Sequence, residues 1–356
     1  MKTITKKYFM ENILNSNPPG DIPDNSIQEI RIGKDFAYSI DKKFESYSIN
    51  KRLTSLVFNK VPLNDSAVAF RQGMSYYDFM FPHKNNYKFL RLDVKSYFHS
   101  LRIRAIRNCL KHYFMGSRLT NNTTMVDQAL KYCTYTIPTD SKNVKFSEKV
   151  VLPIGFPSSP VISNIIFRQL DIEIQKICYK HEIIYTRYAD DMLFSAKKSN
   201  IYIHNALFEE EISRLLQRLS LKLNNKKTLK KNHTLSLNGN VIAFGKAGGS
   251  LRLSNKKVKL INKVTYLALV KEESAVFIMN KLFNVNINNY NFQFQQDEIF
   301  FKKVCMDQLF NKAVGYRSYL LSIIQFDKKN NCLETRYRKK YSKIITRLDK
   351  LIDIYS

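Results

Sequence analysis

The sequence predicts an α+β protein with an antiparallel sheet at its centre and helices in its C-terminal third. Three observations carry this. Residues 184–195 (Ile-Tyr-Thr-Arg-Tyr-Ala-Asp-Asp-Met-Leu-Phe-Ser) set two apolar, β-branched runs either side of an Asp190-Asp191 pair. That pattern reads as strand, tight turn and strand, with the acids at the hairpin tip. Residues 87–94 (Tyr-Lys-Phe-Leu-Arg-Leu-Asp-Val) alternate and read as another strand, ending near Asp93. From Lys256 onward the pattern turns helical, with four helices expected at about 256–271, 274–284, 297–325 and 333–354.

Size and composition bound the problem. At 356 residues the chain is long enough for two or three subdomains. A hydrophobic content of 44%, with 24 Phe and 21 Tyr, supplies a buried interior and excludes a disordered chain. No apolar run is long enough to span a bilayer. The first ten residues carry charge without a following apolar core, so no signal peptide is expected. The five cysteines are scattered, odd in number and without a C-x-x-C pair, which predicts free thiols, a reducing cytoplasm and no zinc site. Charge is the loudest global signal: 58 Lys and Arg against 30 Asp and Glu, a net +28. So large an excess points to a polyanionic partner. The basic residues are interleaved with aromatics along the whole length, which favours nucleic acid over an anionic membrane surface.

The elements follow in order. Residues 1–16 read as a short helix, and Asn17-Pro18-Pro19-Gly20 opens a breaker segment that leads to the body. Between Ile27 and Lys60, partial alternation in Phe36–Ile40 and Tyr47–Ile49, and in the run Leu53 to Phe58, reads as short strands. After Asp93 a helix is expected to about Phe114, with Ile103, Ile106, Leu110 and Phe114 on its apolar face. Residues 116–148, with Thr-Asn-Asn-Thr-Thr inside, read as a helix with long loops. Ser159 then offers an N-cap and Pro160 a first helical residue for a helix to about His181, built on Val161, Ile165, Leu170 and Ile174. After the hairpin, residues 202–219 read as an amphipathic helix on Leu207, Ile212, Leu215 and Leu219. Short strands with glycine turns occupy 235–249. No internal repeat of fixed period is present.

Two adjacent aspartates repel, and alone they read as a solvated turn. Asp93 changes that reading, because three carboxylates then stand at strand ends. Carboxylates converging from separate strands suit two divalent ions about 3.5–4 Å apart. Such a site performs nucleotidyl transfer mainly by placement and charge.

At these residues the chain resembles reverse transcriptases, most of all bacterial ones of the retron and defence-associated kind. Tyr188-Ala189-Asp190-Asp191 resembles the family signature, and Leu92-Asp93-Val94-Lys95-Ser96-Tyr97-Phe98 its first catalytic motif. Leu152 to Pro160, followed by Ser163-Asn164, resembles the second, and Asn224-Asn225-Lys226-Lys227-Thr228 the lysine-bearing motif after the hairpin. The four stand in family order. The tail, with Val314 to Leu321 and Arg336 to Leu351, is loosely similar to the family's thumb.

The resemblance implies a right-hand polymerase of fingers, palm and thumb, with an RRM-like antiparallel palm sheet and a helical thumb. Residues 1–26 would be an N-terminal helix and linker, 27–86 fingers, 87–245 palm with a fingers insertion at about 116–150, and 246–356 thumb. It implies Mg²⁺, two ions, replaceable by Mn²⁺, held by Asp93, Asp190, Asp191 and the backbone carbonyl of Val94. Phe98 would exclude a 2′-hydroxyl, Arg71 would hold triphosphate, and Lys227 would protonate the pyrophosphate. Gly155, Pro157 and Ser158 would shape the floor under the incoming base. On residue type alone Phe98 reads first as a core aromatic, Lys227 reads equally as a surface lysine, and Arg52 and Lys60 rival Arg71. One departure stands out: Ile154 occupies the place where family members usually carry Gln, and it cannot hydrogen-bond a nucleotide.

The implied function is RNA-directed DNA synthesis from dNTPs on a dedicated non-coding RNA, giving cDNA in antiphage defence, with an effector protein or a second copy as further partner and no membrane. Ile154 and the many tyrosines keep open template-independent or protein-primed synthesis by the same palm. A non-catalytic RNA-binding scaffold is the alternative of another class, and the three intact aspartates count against it.

Overall fold

A computed structural model of the chain describes residues 3–33, 35–116, 118–120, 123–245, 248–287 and 298–355. They divide into two units. The first takes the residues up to Phe79 and Lys88–Lys230; the second takes Met80–Tyr87 and the residues from Lys231.

The first unit opens with α1 (Lys6–Tyr8), where Thr5 Oγ1 accepts from the Tyr8 N–H, and a wider turn, Phe9–Ile13, that buries Phe9 and Ile13. A hairpin follows, β1 (Ile27–Ile32) against β2 (Asp35–Ile40), with Ile27 opposite Ile40. The stretch expected as further strands is helical instead. It comprises α2 (Glu45–Arg52), which continues through helical turns to Lys60. Ile49, Leu53 and Val57 recur every fourth residue and are all buried, so a helical period underlies what looked like partial alternation. Next come α3 (Tyr76–Met80) and the strand β3 (Lys88–Asp93), which ends at the predicted acid. The helix expected beyond it is broken at Leu101 and Arg102 into α4 (Tyr97–Ser100) and α5 (Ile103–Leu110), and Ile106 and Leu110 are buried as predicted.

The expected helix in the polar stretch is α6 (Met125–Cys133), capped by Thr124; Asn121 and Asn122 just before it lie outside the described residues. The short pair β4 (Tyr135–Thr136) and β5 (Val150–Val151) leads to α7 (Ser159–Lys180). Its cap position is Ser158, not Ser159. Ser159 is the first helical residue, and Pro160 the second, still within the turn whose N–H groups need no helical partner. The hairpin β6 (Ile184–Tyr188) and β7 (Asp191–Ala196) is as predicted. In α8 (Ala206–Gln217) the fully buried positions are Phe208, Ile212 and Leu216, whereas Leu207 is 56% exposed. Phe208 and Leu216 therefore take the core positions expected of Leu207 and Leu215, while Ile212 is buried as expected. With β8 (Leu229–Asn232) the central sheet is complete, in the order β6-β7-β3-β8.

That sheet shares one core with the helices. Leu90, Leu92, Met192 and Phe194 are fully buried in the same cluster as Ile106, Phe167, Ile174 and Ile212. Each such side chain contributes roughly 1.5–3 kcal/mol. The acids at the ends of β3 and β7 are therefore carried on the most deeply anchored strands of the unit.

The second unit holds a three-stranded sheet, β9 (Thr234–Leu237), β10 (Asn240–Gly245) and β11 (Gly248–Leu253), in the order β11-β10-β9. Four helices follow: α9 (Asn255–Leu269), α10 (Ala275–Phe283), α11 (Glu298–Asn330) and α12 (Thr335–Tyr355). All four were expected; residue 297, the expected start of the third, lies outside the described residues, as do Lys246 and Ala247 in the glycine-turn stretch. Tyr341 Oη accepts from the Leu253 N–H at 3.0 Å, and the Cys332 carbonyl from the Leu251 N–H at 2.9 Å, so β11 is tied to α12 and the turn before it. All five cysteines are free, and four of them are buried. No helix among the described residues is long and apolar enough to cross a membrane.

Candidate active site

The hairpin turn is only two residues long, because Tyr188 pairs directly with Asp191. Ala189 takes a positive φ of 56°, which so tight a turn demands at its first position. The conformation is unfavourable for alanine and is held from beneath: Arg187 Nη1 donates to the Ala189 carbonyl at 3.0 Å.

Arg187 is wholly buried. A buried charge is costly unless it is paired and fully hydrogen-bonded. Here both conditions hold. Its Nε and Nη2 reach the two oxygens of Asp171 at 2.9 and 2.7 Å, its Nη1 also reaches Asn164 Oδ1 at 3.1 Å, and its guanidinium lies 4.2 Å over the Phe167 ring. Tyr185 Oη donates to Asp171 as well, at 2.7 Å. The backbone of Arg187 binds in turn the Ser66 carbonyl and the Val68 N–H at 2.7 and 2.8 Å. One side chain thus fixes the catalytic turn to α7, and its backbone fixes the loop 66–68. Sequence reasoning singled out neither Arg187 nor Asp171. The available signals were an arginine inside an apolar strand and an aspartate inside an apolar helix.

Asp93 ends β3 directly opposite Asp191 on β7. It is 2% exposed, and its two oxygens accept from Asn224 Nδ2 and Lys227 Nζ, each at 3.0 Å. Asp191 accepts from Arg91 Nε at 3.0 Å and pairs with its Nη2. Arg91 stands two positions along β3 from Asp93, on the same face of the strand, and was not picked out in the sequence. Asp190 has no such ion pair among the described residues. Burial, then the neighbouring Asp191 and Asp93, push its carboxyl up to about 6. Burial also raises Asp191, against the pull of Arg91. The hydrogen bond to Asp93 raises Lys227. Among the described residues, no three His, Cys, Asp or Glu side chains stand close enough together to hold an ion as they are. The donor set nevertheless suits a hard divalent cation, since it is all carboxylate oxygen and short of positive charge at Asp190. Arg91 and Lys227 supply part of that charge through their pairs with Asp191 and Asp93.

The other expected residues are placed as follows. The Val94 N–H donates to the Asp190 carbonyl at 3.1 Å, so Val94 is beside the turn. Phe98 is half-buried, edge-on to Tyr97 and Phe70 at ring separations of 5.2 and 6.3 Å. Arg71 donates to the carbonyls of Asn64 and Ala67, both at 3.2 Å, and stiffens the loop that carries it. Its rival Arg52 is engaged with the Ile13 carbonyl and Glu45, while Lys60 is exposed. Gly155 has a φ of 107°, and a Cβ there would stand 2.5 Å from the Tyr38 carbonyl, so only glycine fits against β2. Pro157 is partly exposed. Ser158 is fully buried and exchanges two 3.0 Å hydrogen bonds with Asn50, so it braces the loop from behind.

An antiparallel sheet with a tight acid-tipped hairpin at one edge, a third acid on the adjoining strand and a long helix packed behind is the palm of a right-hand polymerase. A sequence model of the reverse transcriptase (RNA-dependent DNA polymerase) family matches residues 23–239, and the chain belongs to that family. Members of the family use divalent metal ions such as Mg²⁺. Among curated proteins it is similar to two Escherichia coli enzymes. It is 32% identical to the retron Ec73 reverse transcriptase over 149 residues (40% of this chain, 44% of the relative) and 25% identical to the retron Ec83 reverse transcriptase over 154 residues (43% and 46%). The chain thus spans less than half the length of these relatives. Among solved structures, telomerase from Candida albicans aligns at a TM-score of 0.42 and 12% identity, over 96% of this chain and 63% of that one. A foamy viral protease-reverse transcriptase aligns at 0.39 and 13%, over 98% and 50%. The family assignment rests on the sequence model.

Proposed function

We propose that the chain is an RNA-directed DNA polymerase that extends a primer from dNTPs, with two divalent ions, Mg²⁺ by preference, held by Asp93, Asp190 and Asp191. The observation that carries the reading is the placement of Asp93 opposite Asp191 in strand register, with Asp190 in the turn beside them and short of compensating charge. When bound, the ions supply the positive charge that activates a 3′-hydroxyl and steadies the leaving pyrophosphate. The chain's residues do the rest. Arg91 and Lys227 hold Asp191 and Asp93 in place. Lys227, 56% exposed at its side chain, is also free to turn outward and protonate pyrophosphate. Phe98 bars a 2′-hydroxyl by bulk, and Gly155, Pro157 and Ser158 set the floor beneath the base.

The template in this reading is a dedicated non-coding RNA and the product its cDNA, serving antiphage defence; similarity to retron reverse transcriptases supports it. The test uses the purified chain, stripped of nucleic acid, with a primed RNA of known sequence, labelled dNTPs and Mg²⁺. Templated DNA is expected, and it is expected to vanish with Asp190→Asn plus Asp191→Asn while RNA binding persists. Polymerisation by the double variant would defeat the metal assignment. Products unrelated to the template would defeat RNA-directed copying in favour of untemplated synthesis.

A further inference from the structure

Phe70 is the residue whose conformation the fold explains least. Its φ of 61° lies in the left-handed region, a genuine outlier for a bulky aromatic. Burial does not account for it, because the residue is 46% exposed although Val68 and Ala69 before it are buried. The strain is imposed from both sides. Val68 N–H donates to the Arg187 carbonyl at 2.8 Å, Asn164 Nδ2 donates to the Ala69 carbonyl at 2.8 Å, and Arg71 reaches back to the Ala67 carbonyl. Strain that the surroundings over-determine at an exposed side chain is a mark of function.

The ring is aimed at the site. Its centroid is 6.3 Å from Phe98, at an interplanar angle of 62°, and 6.4 Å from Tyr188, the residue before the acid-bearing turn. It also lines a cavity of about 320 Å³ together with Asn59, Arg71, Gln72 and Val161. Phe98 and the three acids are not among the residues lining that cavity, so the ring's relation to the site rests on its contacts with Phe98 and Tyr188.

We propose that Phe70 is a positioning residue for sugar specificity, its ring packing edge to face against Phe98 and holding that ring beside the sugar of an incoming deoxynucleotide. The inference rests on the polymerase reading above and on Phe98 as the sugar gate. With Phe70 against it, the Phe98 ring closes the space beside the 2′ carbon more rigidly than it would alone, because neither ring can swing away without losing the other. The left-handed backbone turns the Phe70 ring out of the loop and toward Phe98, where an extended backbone would send it elsewhere.

Phe70→Gly separates this role from a structural one, since glycine adopts a positive φ without strain. The purified full chain is expected to keep or raise its unfolding midpoint with Phe70→Gly. Its preference for dATP over ATP, measured as the ratio of kcat/KM on a primed RNA, is expected to fall by about tenfold or more, the range for losing an apolar contact that discriminates between substrates. Phe70→Tyr, which keeps the ring, is expected to restore the preference, and Phe70→Leu, which keeps apolar bulk without a ring, to lose it. Should Phe70→Gly misfold, the Leu and Tyr pair decides. An unchanged preference in the Gly and Leu variants, with the wild type active, would overturn the role of Phe70 alone. A wild type that incorporates nothing would overturn the polymerase reading and this inference with it.

Discussion

At the tips of β3 and β7, three carboxylates crowd together, and Asp190 is left short of positive charge. A few residues away in sequence from the α7 cap, the loop before that helix is the opposite case. The Ile154 carbonyl is taken by the Tyr38 N–H at 2.7 Å, Ser158 is matched on both polar groups by Asn50, and Gly155 is pressed against the β2 backbone. In the first region Asp93 and Asp191 are held by Asn224, Lys227 and Arg91 while Asp190 is left short of positive charge, and in the second the polar groups are matched by the protein. The difference says where stability and activity part company. Substitutions at the acids should cost reaction and spare the fold. Substitutions in and around the bracing network should cost the fold first.

The largest expected effect lies at the acids. Asp93→Asn should lower dNTP incorporation on the order of 10³-fold, because a lost charge at the proposed metal site is worth several kcal/mol. Its unfolding free energy should stay within about 1 kcal/mol of wild type, since the pair with half-exposed Lys227 is screened and relief of carboxylate crowding offsets it. Denaturant titration and primer extension on the same preparation check both halves. A loss of stability as large as the loss of rate would erase the contrast between the two regions.

Next comes Arg187→Met, which tests the buried pair that holds the acid-bearing turn from beneath. It leaves Asp171 buried and unpaired, which should cost about 3–5 kcal/mol in denaturant unfolding. The double variant Arg187→Met with Asp171→Leu should recover a good part of that, because apolar groups of similar size often replace a buried ion pair well. Activity should not return with it, since the Ala189 carbonyl still lacks its donor. Recovery of both would show that Arg187 only holds the fold.

Gly155→Ala should cost less, about 1–3 kcal/mol, as a side chain forced to a positive φ against the Tyr38 carbonyl. Thermal unfolding measures it. A neutral result would mean that the loop moves freely away from β2.

What could be seen in the sequence follows from range. The strands β3, β6 and β7 were legible because alternation and terminal acids are local signals, and α7 because its apolar spacing spans 22 residues. The helix from Glu45 was missed because short runs of aromatic and β-branched residues mimic strand composition, even though Ile49, Leu53 and Val57 carry a period of four. The three aspartates were found as residue types at strand ends. Their restraints were not, because Arg91 with Asp191, Asn224 with Asp93 and Arg187 with Asp171 are pairings across elements that no local period encodes. Phe70 gave no signal at all, since its meaning lies in a backbone angle and two ring contacts.

The smallest effect sharpens the comparison most. Ile154 is half-buried, and only its backbone is engaged, so its side chain can change without disturbing the braced loop. Ile154→Gln places an amide where family members usually carry one. A single hydrogen bond to a nucleotide is worth about 1 kcal/mol net, so the KM for dNTPs should fall by roughly fivefold while the unfolding midpoint stays put. If the loop is a braced floor, the gain appears in KM alone and leaves kcat unchanged, because the amide binds ground state and transition state alike. A shift in kcat would mean that residue 154 also sets the geometry at the acids, and that the two regions are coupled and not separate. Steady-state kinetics on one templating base at a time distinguishes these outcomes.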